Sequence, residues 1–201
     1  MEPMIETNTA FLFIFLLAVA LFFLRKYAHN PFEKTLKRAM AGNAQAQYDM
    51  GYLYYCGKQV EQNYTQAFNW FDTAAKQGNV RAMIALAGLY NEGKGCEKSP
   101  RRAFEYYDMA AQTGDFEARV NLAVCYLQGT GTSKDEVKGA EILKKAADDK
   151  SPLAQTLLAD LYERGVGVEK DENLAIQYYL KAAKQGEPIA KKKLKGIKSK
   201  R

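Results

Sequence analysis

The side chains able to do chemistry are few and scattered. His29 is the only histidine in 201 residues, which removes a Ser-His-Asp triad, a Cys-His pair and any multi-histidine metal site. Cys56, Cys96 and Cys125 stand 40 and 29 residues apart, so they form neither a close metal-ligand pair nor a disulfide framework. They read as small apolar side chains in a reducing compartment. "GTGTSKD" at 129–135 has the look of a phosphate loop but lacks the G-K-[ST] step. Asp148, Asp149, Glu169, Asp171 and Glu172 fall at expected helix ends, where capping and the helix dipole account for them. Asn63-Tyr64-Thr65 matches a glycosylation acceptor, which a cytoplasmic body would leave unmodified. With no nucleophile-base constellation the chain is expected to be a binding protein, not an enzyme, and to need no cofactor and no metal.

Charge narrows the partner. The net charge is +6, but the last eleven residues, "KKKLKGIKSKR", hold seven cations and no anion, so the rest of the chain carries −1. Nucleic acid is therefore not the expected partner. The basic tail is either a solvated end or a contact for anionic lipid.

A membrane enters through the first 28 residues. Ala10 to Leu24 carries no polar side chain. Fifteen helical residues reach roughly 22 Å, and extension from Thr7 to Tyr27 gives roughly 31 Å, enough for a hydrocarbon layer of about 30 Å. Arg25 and Lys26 would snorkel, with Tyr27 at the headgroups. A cleaved signal peptide is the alternative, with Ala18-Val19-Ala20 as the small-residue site, but the preceding "MEPMIETNT" has two Glu and no cation. Arg25, Lys26, Lys34, Lys37 and Arg38 follow the block and none precedes it, so the expected topology puts the N-terminus outside and the body in the cytoplasm. A periplasmic or secreted body is the alternative.

The elements that must position any site come from a repeat of 36 residues. It aligns Ala46, Ala82, Ala118, Ala154 and Ala190, then Met50, Leu86, Leu122, Leu158 and Leu194, then Tyr54, Tyr90, Tyr126 and Tyr162, then Gly57, Gly93, Gly129 and Gly165, all without a gap. Further on it aligns Ala67, Ala103, Gly139 and Ala175, and the Ala-Ala pairs at 74, 110, 146 and 182. Each copy reads as two helices. The first ends at a Gly suited to a left-handed cap, and the second begins after Asn63, Ser99, Asp135 or Asp171. The units are a short segment 1–9, a membrane helix and flank 10–28, a capping helix 30–42, four repeats 43–186 (43–78, 79–114, 115–150, 151–186), and a capping helix with basic tail 187–201. The flanking half-repeats present polar outer faces, as a solenoid end requires.

The pattern A-x-x-x-L-[GA]-x-x-Y-x-x-G-x-G-V-x-x-D-x-x-x-A-x-x-[WY]-[YF]-x-x-A-A-x-[QT]-G resembles the Sel1-like repeat, a relative of the tetratricopeptide repeat. "LADLYERGVGVEKDENLAIQYYLKAAKQG" follows it most fully. Copy one replaces the G-x-G-V loop by Gly57-Lys58-Gln59-Val60, and copy three departs at Gly139, Ile142, Leu143 and Lys150. The resemblance implies an all-α fold, a right-handed α-solenoid of helix-turn-helix repeats, here preceded by the one N-terminal transmembrane helix expected from the apolar run. It also implies an adaptor that holds a protein or peptide partner. In such arrays the first helix of each pair lines the concave face. That implies a groove built from Tyr48, Tyr52 and Tyr55, then Ile84, Gly88 and Asn91, then Val120, Val124 and Leu127, then Thr156, Asp160 and Glu163. It would run from aromatic through aliphatic to acidic, with the tyrosines as anchors.

Overall fold

In a computed structural model of the protein, residues 15–19 and 31–198 are described. Residues 15–19 are helical, with Phe15, Leu16 and Leu17 exposed at 65%, 56% and 55%. The rest of the expected membrane helix over 10–28 lies outside the described residues. No helix among the described residues is long and apolar enough to cross a membrane.

From residue 31 onward the described chain is ten helices: α1 Pro31–Met40, α2 Ala44–Cys56, α3 Tyr64–Lys76, α4 Val80–Glu92, α5 Pro100–Gln112, α6 Phe116–Gln128, α7 Glu136–Asp148, α8 Pro152–Arg164, α9 Glu172–Lys184 and α10 Pro188–Lys198. Each packs on the next in chain order, which makes an α-solenoid of four helix pairs flanked by the half-repeats α1 and α10.

Local chemistry sets every boundary. Asn43, Asn63, Asn79, Ser99, Asp115, Asp135, Ser151 and Asp171 are N-caps whose side chains accept from the backbone N–H three residues on. The first helices end at left-handed Gly57, Gly93, Gly129 and Gly165, whose N–H groups return to the carbonyls of Leu53, Leu89, Cys125 and Leu161. The intervening loop is pinned because the N–H of Asn63, Ser99, Asp135 and Asp171 donates to the carbonyl of Tyr54, Tyr90, Tyr126 and Tyr162 at 2.8 to 3.0 Å.

Two departures from the repeat pattern concern glycine positions. A Cβ at Gly95, Gly131 or Gly167 would lie 2.0 to 2.1 Å from the carbonyl oxygen of Tyr64, Pro100 or Glu136, because the loop rests on the first turn of the preceding second helix. Copy one carries Gln59 there, at φ 66°. The position in the register of Tyr64 is residue 28, which lies outside the described residues. In copy three, Gly139 replaces Ala, and a Cβ there would sit 2.7 Å from Leu127 Cγ. The small residue makes room for that side chain.

The seam is alanine backed by one large residue per helix. Ala46, Ala82, Ala118, Ala154 and Ala190 are 0% exposed, as are Met50, Leu86 and Leu158. An aromatic ladder joins neighbouring pairs: Phe68 meets Tyr90 edge-on at 5.3 Å, Tyr90 stacks on Tyr106 at 5.8 Å, and Phe104 meets Tyr126 at 5.3 Å. Polar clamps lock the turns between copies. Gln47 Nε2 donates to the Ala39 carbonyl at 3.1 Å while its Oε1 accepts from Gln77. Gln155 does the same with Ala147 at 3.1 Å and Gln185. In copy three Arg119 takes the role, reaching Asp149 and the Gly114 carbonyl.

Candidate partner-binding groove

The 36-residue register sets four gaps between the expected concave positions of successive first helices and fixes the composition of each. The first holds Tyr52 and Tyr55 against Ala85. The second sets Gly88 and Asn91 against Asn121. The third sets Val124 and Leu127 against Leu157. The fourth sets Asp160 and Glu163 against Lys193. The side chain at the facing position decides whether a gap is filled from within.

The first gap is open. Tyr48, Tyr52, Tyr55, Ile84 and Gly88 come together around a groove of about 480 Å³, with Phe71, Ala85 and Leu89 behind them and Arg81, Glu92 and Glu117 at its lips. Ala85 is too short to cross the gap, and a Cβ built on Gly88 meets nothing within 4 Å. The rings are held in place. Tyr48 lies 5.6 Å from Phe71, Tyr55 packs edge-on against Tyr64 at 5.6 Å, and Lys58 and Lys94 lie over Tyr52 and Tyr55 at 5.5 and 5.8 Å. Burial raises the Tyr48 hydroxyl pKa, which Arg81 partly offsets. Tyr52 is 43% exposed, so the groove offers an aromatic surface to an incoming side chain.

The third gap is narrower. Val124, Leu127 and Asp160 line a hollow of about 340 Å³ with Leu157 and Leu161. Val120 corrects the expected groove: it is 3% exposed and joins the buried cluster of Ala123, Ala154 and Leu158, because Leu157 packs over this register. Thr156 is likewise buried at 4%, its hydroxyl donating to the Pro152 carbonyl at 2.9 Å. Asn91 lines neither hollow; its Oδ1 is buried without a hydrogen-bond partner. It lies beside Tyr107, whose pKa burial pushes up to about 12 against an opposing hydrogen bond from Asn91.

The fourth gap is closed by the chain itself. Lys193 of α10 donates to Asp160 Oδ1 at 3.0 Å and Glu163 Oε2 at 2.9 Å, and the fully buried Tyr179 hydroxyl donates to the same Glu163 oxygen at 2.9 Å. Burial alone would raise the Asp160 pKa, but the hydrogen bonds from Lys193 and Arg164 outweigh it and hold the carboxyl below its ordinary range. The Lys193 bond holds Glu163 low, and Lys193 itself is held well above the usual lysine value. Glu163 also borders a further hollow of about 740 Å³ with Tyr179, Ile189 and Ile197. The expected acidic end of the groove is thus neutralised by a cap residue that sequence reading did not connect to it. The register offered the signal, since Lys193 falls at the position of Ala85 and Leu157.

Among the described residues no group of three or more His, Cys, Asp or Glu could hold a metal ion. What the arrangement offers is an open slot lined by aromatic and aliphatic side chains that can receive a side chain.

The comparisons agree with this architecture. The model of the Sel1 repeat matches residues 44–79, 80–115, 116–151 and 152–187. A protective antigen of uropathogenic Escherichia coli with an SLR fold is 34% identical, with a TM-score of 0.74 over 79% of this chain and 34% of its own. A Sel1 repeat protein from Oxalobacter formigenes is 32% identical, with a TM-score of 0.78 over 83% of this chain and 66% of its own. The chain therefore spans about a third of the length of the first and just under two thirds of the second. The cysteine-rich protein B of Helicobacter pylori, 22% identical with a TM-score of 0.50 over 67% of this chain and 96% of its own, shares the fold. No curated protein matches the sequence. Four consecutive matches covering most of the chain settle the family: this protein belongs to the Sel1 repeat family.

Proposed function

We propose that the protein is a membrane-tethered adaptor whose helical-repeat groove holds a segment of a partner protein, with the repeat body in the cytoplasm. The observation that carries the reading is the open first gap, where Tyr48, Tyr52 and Tyr55 face Ile84 and Gly88 around about 480 Å³. Aromatic side chains in such a slot carry a disproportionate share of binding energy. The tether rests on the uncharged run from Ala10 to Leu24, on the exposure of Phe15, Leu16 and Leu17, and on the cations that follow the run. The role is binding, with no catalytic step.

Gly88→Leu tests the groove. The added side chain enters open space, so the fold is kept while the slot is plugged. Capture of a partner from detergent-solubilised membranes by the wild-type chain and its loss with Gly88→Leu is the expected result; equal capture by both overturns the groove. Deleting residues 1–28 tests the tether. A product that still pellets with membranes at high salt overturns it, because salt removes surface attraction and not an inserted helix.

A second reading, an exported repeat protein whose body faces outward, draws support from the likeness to a protective antigen. A membrane-impermeant thiol reagent separates the two. Labelling of the half-buried Cys56 or Cys96 only after permeabilisation is expected for a cytoplasmic body, and labelling in intact cells favours export.

A further inference from the structure

We infer that helix α1 lies on the membrane surface, with its outer face bound to anionic phospholipid headgroups; the inference rests on the tether proposed above. At 100° per residue α1 has two opposite faces. Phe32, Leu36 and Ala39 form one and pack on the cluster of Ala46, Met50, Leu53 and Tyr54. Lys34, Lys37 and Arg38 form the other. All three are exposed, and none makes an ion pair among the described residues, where nine such pairs are formed elsewhere. Glu33, on a flank, is the only anion of the helix.

Chain reach makes this cationic face a membrane face. Pro31 lies four positions after Tyr27, and a fully extended chain covers at most about 14 Å over that distance. With Tyr27 at the headgroups, α1 starts within about 14 Å of them, one to two Debye lengths at physiological salt. Its apolar side is committed to the solenoid, so the side left to meet the bilayer is the one bearing Lys34, Lys37 and Arg38. Three cations this near an anionic leaflet are attracted to it. The solenoid is then held at a set angle, and does not swing on a linker. A solvated cap explains the polarity of this face but not its single sign.

Full-length protein in nanodiscs tests this, with acetic anhydride as a neutral amine probe read by mass spectrometry. Discs of phosphatidylcholine alone are compared with discs holding equal parts of phosphatidylglycerol. The exposed Lys144 and Lys145 on α7 serve as internal references. Acetylation of Lys34 and Lys37, relative to these references, is expected to be about fivefold slower in the anionic discs and to recover in high salt. Equal rates in both discs overturn the docking and leave the tether standing. Protection produced by added RNA in neutral discs, without an effect of phosphatidylglycerol, assigns the face to another polyanion and overturns it too. Extraction of the protein by alkaline carbonate overturns the tether, and the docking with it.

Discussion

The first and last gaps of the concave face use the same backbone and reach opposite states. In the last, Asp160 and Glu163 are bridged by Lys193 at 3.0 and 2.9 Å, and the gap is filled. In the first, three repeats earlier, the same positions are Tyr52, Tyr55 and Ala85, and about 480 Å³ stands open. The last gap is satisfied from within the chain, and the first leaves room that, on the proposed function, a partner side chain fills. What distinguishes the open gap from the filled one is the truncation of one residue at a facing position, Ala85 in place of Lys193. The tyrosines alone do not make the difference, since Tyr179 is as aromatic and fully buried.

Four substitutions and one titration probe that difference, taken from the largest expected effect to the smallest. Leu86→Ala removes a side chain that is 0% exposed in the seam behind the open gap and is expected to cost about 2 to 5 kcal/mol in chemical denaturation. Glu163→Ala strikes the filled gap, leaving the buried Tyr179 hydroxyl without its acceptor at an expected cost of about 1 to 3 kcal/mol. Gly88→Leu, at an open helical position, is expected to raise stability by up to about 1 kcal/mol through helix propensity; a loss of stability would mean that the gap is filled. Tyr52→Ser, at a ring 43% exposed, is expected to change stability by no more than about 1 kcal/mol. Damage equal to that of Leu86→Ala would place the ring in the core and abolish the contrast between the gaps.

The titration isolates the filled gap. The folded pKa values of Asp160 and Glu163 are lowered, so their contribution is present above the unfolded carboxylate range near about 4 and is lost as pH falls through the depressed folded values. Lys193 is raised, so its contribution is present below the unfolded lysine value of about 10.4 and is lost as pH rises through the folded one. The stability difference between wild type and Lys193→Gln is therefore expected to be flat near neutrality and to shrink on acidification. A difference that grows in acid contradicts the bridge.

Much of this was legible in the sequence. The 36-residue register located the caps, the alanine seam and the tyrosines that meet around the open gap. The residues it misplaced were those whose exposure depends on the neighbouring helix. Val120 and Ile84 share one register, yet Val120 is 3% exposed within a buried cluster while Ile84 lines the open groove. Periodicity assigns a side chain to a face; it does not state how far the facing side chain reaches. Gln47 and Gln155 were missed for a different reason. A glutamine on a helix reads as solvated, and only the pairing of 47 with 77 and 155 with 185 at one register marks them as buried clamps.

The central claim is that a partner enters the first gap and not the last. The direct measurement is site-specific photocrosslinking of the full-length chain in cells of its own source, with p-benzoylphenylalanine placed in turn at Tyr52 and Asp160. The account predicts discrete adducts from position 52, abolished by Gly88→Leu, and none from position 160. Adducts of the same size and yield from both positions, or from 160 alone, would contradict it.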